Sequence, residues 1–166
     1  MFVVQRRGGY PWAEGYFNRN DNAALPLELP IDGDPRSLYV YIGDDVSANA
    51  QQIKQVLLRL VVSGADVSNK IEVGLNRVPL SLNVRDDGWK DRQIFSPGPQ
   101  SPSGGVNNWK SDPNQKLLRL DYEVTPSYCK LGTNQVTLRC AEHNSRNTTV
   151  SIKIEKLELH VHYVEA

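Results

Sequence analysis

The sequence predicts an all-β fold, an antiparallel β-sandwich with at most one short helix. Many segments alternate apolar and polar residues with a period of two, as strands with one buried face do. Clusters of Gly, Pro, Asn and Asp separate these segments and indicate turns. The only stretch with much helix propensity, residues 44–55, is too short to connect parallel strands.

Each element follows from one of these patterns. The predicted strands are residues 2–5, 25–29, 37–42, 56–62, 70–75, 78–82, 118–124, 135–140 and 149–164. In the strand 37–42 the aliphatic residues form one face, so Tyr39 and Tyr41 lie together on the other. A short helix is expected near residues 45–55. The alternation of the last strand changes phase near Glu155 and Lys156, which predicts a bulge or a bend between two sheets.

The size and charge of the chain limit the classes of function that it can have. It has 166 residues, 39% of them apolar, so a single domain can form a packed core without metal or disulfide support. Lys and Arg total 19, and so do Asp and Glu. A neutral chain lacks the positive excess typical of nucleic-acid and anionic-membrane binders. Residues 1–7 lack the apolar stretch of a signal peptide, and the sequence leaves the compartment open.

Cys129 and Cys140 are expected to be free thiols. A turn signal at residues 131–134 separates them, and the strand 135–140 follows, so the sulfurs should lie about 15 Å apart. A disulfide requires Cα atoms within about 7 Å. Cys140 shares the parity of the apolar residues of its strand and is predicted to lie in the core.

Residues 85–114 are predicted to form one long loop, because they have no periodicity and are rich in Gly and Pro. Loops this long are usually either functional or disordered. Trp89 and Trp109 both lie in this segment, and a disordered linker would not favour two tryptophans. The loop is therefore the first place to seek a binding site.

Three stretches resemble the galactose-binding-like jelly roll. Residues 71–80 are similar to its strand, L-N-G-x-x-L turn and strand, with Arg77 where Gly is usual. Residues 118–138 are similar to its strand, Pro, x, L, x, x, G, x, N, x, V run, in which Asn134 closes a turn. Residues 157–163 are similar to its closing strand. The resemblance implies a jelly-roll fold of the carbohydrate-binding-module type, appended to a glycoside hydrolase in a longer parent chain, and it carries over no ligand-contacting residue.

The long loop supplies the candidate ligand-binding residues. They are Trp89, Trp109, Asp87, Asp91 and Arg92. Aromatic rings stack on the C–H faces of sugars, while neighbouring polar groups bond the hydroxyls. The competing interpretation is that the tryptophans give the loop a small core of its own and that the charged residues form a solvated turn.

Metal sites are weaker candidates. Asp32 and Asp34 flank Gly33, and jelly-roll modules often carry a structural calcium, which takes several oxygen ligands. An Asp-Gly-Asp-Pro sequence is equally well explained as a simple turn. His160 and His162 share one strand face at a spacing compatible with zinc, although a polar strand face explains them better.

Three functions remain open. The leading one is a non-catalytic carbohydrate-binding module that recognises a glycan through loop aromatics. The second is a structural or interaction domain that packs against a catalytic partner and binds no sugar. The third is a small enzyme with paired carboxylates, because several glutamates are expected to face outwards from strands. They are Glu28, Glu72, Glu123, Glu155 and Glu158.

Overall fold

The fold is all-β, as the sequence predicts. A computed structural model describes residues 2–6, 16–17, 25–65, 69–91, 96–97, 109–110, 116–142 and 151–165. Its strands are β1 (Phe2–Arg6), β2 (Tyr16–Phe17), β3 (Leu27–Pro30), β4 (Arg36–Ile42), β5 (Ile53–Ser63), β6 (Asn69–Leu75), β7 (Val78–Pro79), β8 (Ser81–Trp89), β9 (Ser96–Pro97), β10 (Trp109–Lys110), β11 (Leu117–Val124), β12 (Gly132–Glu142) and β13 (Ser151–Tyr163).

Helical structure in these ranges is limited to two single turns of 3₁₀ helix. One is Ala50–Gln52, where the short helix near residues 45–55 is expected, and the other is Pro126–Tyr128. Neither is long and apolar enough to cross a membrane, and no other helix is present in the described ranges.

Two sheets pack face to face. Sheet A has seven strands in the order β2-β1-β13-β5-β11-β8, with β3 also paired to β13. Sheet B has four strands in the order β4-β12-β6-β7. All pairings in both sheets are antiparallel except that of β1 with β2. A two-stranded ribbon of β9 and β10 completes the described strands.

The core lies between the two sheets. Its largest fully buried side chains are Leu29, Leu38, Ile42, Leu58, Leu60, Leu75, Leu120, Leu138, Ile152, Ile154, Leu157 and Leu159. These residues occupy alternate strand positions, which explains the period of two in the sequence. The core also explains the outward direction of Tyr39 and Tyr41, because the residues that alternate with them on β4 are buried: Leu38, Val40 and Ile42.

A bulge in β13 accounts for the phase change. Ile154 pairs with Val62 and Lys156 with Val61, so Glu155 is the additional residue. Before the bulge the outer neighbour of β13 is β3, and after it the neighbour is β1. The extra residue keeps the aliphatic side chains on both sides of the bulge in the same core.

Two asparagines fasten the turn between β6 and β7 to the loop before β12. Asn76 donates from Nδ2 to the carbonyl of Tyr128 and to Oδ1 of Asn134, both at 2.8 Å. Asn134, which is fully buried, donates to the carbonyls of Lys130 and Gly132 and accepts from the amide of Lys130. The two segments are therefore held as one unit.

The turn itself is a two-residue hairpin with both central residues in the left-handed region. Asn76 has φ 49° and Arg77 has φ 71°, a geometry that usually selects Asn-Gly. Gly132 has φ 99°, so its position in the following loop requires glycine. The turn role expected for Asn134 is confirmed by its four side-chain hydrogen bonds.

The structure also bears on the long loop and the cysteines. Residues 85–89 belong to β8 rather than to a loop, and β9 and β10 lie within the remainder of the predicted loop. Both cysteines are free and buried, and Cys140 lies in the core. Burial raises the pKa of the Cys129 thiol to about 11.

Candidate functional site

The outer face of sheet A carries a charged network around Trp89. Arg59 binds Asp121 through Nε at 2.8 Å and Nη2 at 3.2 Å, and Arg119 Nη2 binds the same carboxylate at 3.0 Å. The guanidinium carbon of Arg119 lies 4.6 Å from the centre of the Trp89 ring, and that of Arg59 lies at 5.7 Å. The half-buried indole thus serves as a cation–π partner within the protein.

A second cation joins Trp89 to β13. Trp89 Nε1 donates to Asp91 Oδ2 at 3.3 Å, and Lys156 Nζ donates to the same oxygen at 3.0 Å. Lys156 also forms an ion pair with Glu158, whose other oxygen bonds His160 Nε2. Burial alone would raise the pKa of Glu158, but its bonds to His160 and Lys156 lower it to about 2.

Two of the glutamates expected to face outwards are therefore buried, which corrects that prediction. Glu155 is 5% exposed and Glu158 is 6% exposed. Glu155 is the bulge residue and accepts a hydrogen bond from Ser63 Oγ at 2.9 Å. The side chain of Glu158 lies on the strand face opposite the core, but the ion-pair network covers it. A general acid of a glycosidase needs a raised pKa, so Glu158 is unsuited to that role.

The remaining glutamates lie where the alternation predicts. Glu28, Glu72 and Glu123 are exposed on their strands. Glu72 forms an ion pair with Arg139 at 3.5 Å.

Of the sequence-predicted binding residues, the structure describes the side chains of Trp89, Asp87 and Asp91, and these three do not form one open site. Asp91 is buried and bound to Lys156, whereas Asp87 is exposed and paired with Arg85 at 3.1 Å. Arg92 and the side chain of Trp109 lie outside the described residues. The loop site remains a prediction, and the part of it described here is occupied by internal contacts.

Asp32 and Asp34 are exposed at the turn before β4. Asp32 Oδ1 lies 4.0 Å from Nη2 of Arg139, so a positive charge of the protein itself is already close to this carboxylate. His160 and His162 stand with ring centres 6.1 Å apart. Across the described ranges, no group of three or more His, Cys, Asp or Glu side chains is close enough to hold a metal ion.

An open groove lies on the outer face of sheet B. It has a volume of about 300 Å³, and we call it the Tyr39 groove. Its lining residues are Tyr39, Asn76, Arg77, Lys130, Thr133 and Gln135. Tyr39 on β4 pairs with Gln135 on β12, so their side chains are neighbours on one face of the sheet.

The groove combines an exposed aromatic ring with hydrogen-bonding groups. Tyr39 is 42% exposed, and Tyr41, two positions along the same strand face, is 49% exposed. Gln135 Nε2 donates to Ser37 Oγ at 3.0 Å, which orients its amide across the sheet. Thr133 pairs with Tyr41 and adds a hydroxyl group.

A second groove of about 370 Å³ adjoins the first through Arg77. It is lined by Pro35, Glu72, Val73, Gly74, Arg77, Pro79, Thr137 and Arg139. The two grooves together extend across β4, β12, β6 and β7.

The alternation of β4 indicates that Tyr39 and Tyr41 face outwards. It does not indicate which residues meet them, because Arg77 and Lys130 come from turns distant in sequence. One further indication of this site in the sequence was the arginine at position 77, where the resembled family usually has glycine, and Arg77 lines the groove. Comparison of the chain with protein-family models and with curated proteins gives no match.

Proposed function

We propose that the chain is a non-catalytic carbohydrate-binding module that holds a glycan in the Tyr39 groove. The observation that carries the proposal is an exposed tyrosine ring beside polar side chains in an open groove. An aromatic ring offers a flat apolar surface to the C–H face of a sugar, while its polar neighbours fix the hydroxyls.

The scaffold supports such a role. Most of the groove lies on strands of a packed sheet, so the backbone that carries its side chains is fixed by the core beneath it. A rigid site loses little conformational entropy when it binds, which favours affinity for a flexible polymer. The charged network around Trp89 differs in that its ion pairs are largely buried, which leaves little exposed surface for a ligand.

The direct experiment compares two tyrosine variants against a panel of soluble polysaccharides by affinity electrophoresis. A polysaccharide that wild type binds slows the migration of wild type in the gel. Tyr39→Ala should not be slowed, because the surface on which the sugar stacks is removed. Tyr163→Ala removes an equally accessible tyrosine from sheet A, where the exposed fraction is 37%, and should bind as wild type does. Equal binding by all three proteins would refute the groove as the site.

An interaction domain is the alternative, and one surface favours it. Tyr163 and Val164 are exposed at the end of β13, where they border a groove with Lys54, Gln55 and His162. If wild type binds no polysaccharide of the panel, this alternative replaces the sugar-binding proposal.

A further inference from the structure

Resting on the proposed function, we propose that the Tyr39 groove selects an acidic glycan, one whose sugars carry carboxylate or sulfate groups. Two cations, Arg77 and Lys130, line this groove, and none of its described lining residues is acidic. A groove with that lining attracts an anionic ligand and gains little from a neutral one.

Neither charged group has a partner among the described residues. Within the ranges that the structure describes, Arg77 and Lys130 have no ion-pair partner, and both are exposed. Arg139 in the adjoining groove differs, because Glu72 and Asp32 lie 3.5 Å and 4.0 Å from it. Arg77 borders both grooves, but only in the Tyr39 groove does it lie beside a second cation that has no ion-pair partner among the described residues.

The backbone segments that carry the two cations are also held in place. Arg77 follows Asn76 in the turn, and Lys130 is bonded through its backbone amide and carbonyl to Asn134. Asn76 and Asn134 bond each other, so one pair of side chains fixes both cation-bearing segments. Because the two segments keep a fixed separation, binding of one anion by both cations costs less conformational entropy than it would if the segments moved independently.

The backbone at Arg77 gives a second reason to assign it a ligand. Its φ of 71° lies in the left-handed region, which glycine adopts without strain and arginine does not. Such positions persist where the surrounding structure fixes them, and they cluster at functional sites. A guanidinium that binds carboxylate or sulfate in a bidentate manner is such a use.

The test uses isothermal titration with four probes. They are an oligogalacturonate, its fully methyl-esterified form, a carrageenan oligosaccharide, which carries sulfate and no carboxylate, and single-stranded DNA. The ester keeps the sugar ring and removes the charge, so it separates stacking from ionic recognition. The sulfated probe distinguishes the two kinds of anion, and the DNA tests for an unspecific response to polyanions.

Three variants accompany the wild type. Arg77→Gly relieves the backbone strain, so the variant should fold at least as well as wild type while it loses the guanidinium. Lys130→Gln removes the second charge of the groove. Lys153→Gln is the matched control, because Lys153 is an exposed lysine of β13 in the other sheet.

The proposal predicts that wild type binds one of the acidic glycans at least tenfold more tightly than it binds the ester. A difference of roughly this size is expected for charge-assisted hydrogen bonds. Arg77→Gly and Lys130→Gln should each abolish most of that preference, and Lys153→Gln should keep it. Raising the salt concentration to about 1 M should weaken the binding of the acidic glycan and leave the binding of the ester unchanged.

Each other outcome counts against a specific statement. Equal binding of the ester and the acids overturns the charge selection but supports the sugar-binding function. DNA bound as tightly as the acidic glycans overturns the sugar-specific selection. Binding of none of the probes overturns the inference, whereas the proposed function is decided separately by the polysaccharide panel.

Discussion

Glu158→Gln offers a quantitative test of the charged network in sheet A. Glu158 is 6% exposed and lies between Lys156 and His160. Glutamine keeps the size and hydrogen-bonding capacity of the side chain but removes its charge. The variant therefore leaves Lys156 with Asp91 as its remaining carboxylate in the described network.

The magnitude follows from the pKa of Glu158. Its folded value of about 2 lies below the ordinary value of 4.5, because hydrogen bonding and the charge of Lys156 outweigh the effect of burial. At roughly 1.4 kcal/mol per pH unit, that difference corresponds to about 3 kcal/mol of folding free energy at pH 7. The same linkage leaves about 1 kcal/mol at pH 3.

The sign of the pH effect is fixed by the direction of that difference. The folded protein holds its proton on Glu158 less tightly than the unfolded chain does. The stabilisation is therefore complete above about pH 4.5 and is lost as the pH falls towards 2. Raising the pH above 5 should add nothing further from this group.

Urea unfolding followed by tryptophan fluorescence at pH 7 and pH 3 measures the effect. Wild type should exceed Glu158→Gln by about 3 kcal/mol at pH 7 and by roughly 1 kcal/mol at pH 3. Glu123→Gln, an exposed carboxylate of β11 in the same sheet, should differ from wild type by less than about 0.5 kcal/mol. A difference for Glu158→Gln that is equal at both pH values would refute the reasoning.

Three further predictions concern other parts of the fold. Asn134→Asp should lower the free energy of unfolding by about 3 kcal/mol in urea titrations, because a carboxylate cannot donate to the two carbonyls that the buried amide now bonds. An unchanged midpoint would contradict the role given to the hydrogen bonds of Asn134. Trp89→Ala should lower stability by about 2 kcal/mol, because its ring packs against Leu117 and Val61 as well as two guanidinium groups; a melting temperature equal to that of wild type would show that the ring is dispensable for folding. Neither thiol should react with a disulfide reagent until the protein unfolds, since both are buried and burial raises the pKa of Cys129 to about 11; rapid labelling of the native protein would contradict this.

The sequence predicted the features that depend on alternation and on local turns. The phase change at Glu155 indicated the bulge, because an additional residue in one strand reverses the faces of all that follow. The turn at Asn134 was predictable from its neighbours for a similar reason, since its bonds to Lys130 and Gly132 are local.

The sequence could not predict features that depend on partners distant along the chain. The burial of Glu158 requires a network that extends to Arg59 and Asp121 on two other strands. β8 was taken for a loop because it lies at the edge of sheet A, where most of its side chains are at least partly exposed and no apolar alternation is needed. The Tyr39 groove likewise joins β4 to two turns that only the folded sheet brings together.

The most direct test of the central claim is a nuclear magnetic resonance titration of the ¹⁵N-labelled protein with oligogalacturonate. A glycan in the Tyr39 groove should shift the backbone amides of Tyr39, Arg77, Thr133 and Gln135, and leave those of Trp89 and Asp91 unchanged. Shifts centred on Trp89 and Asp91, with the outer face of sheet B unaffected, would contradict the account.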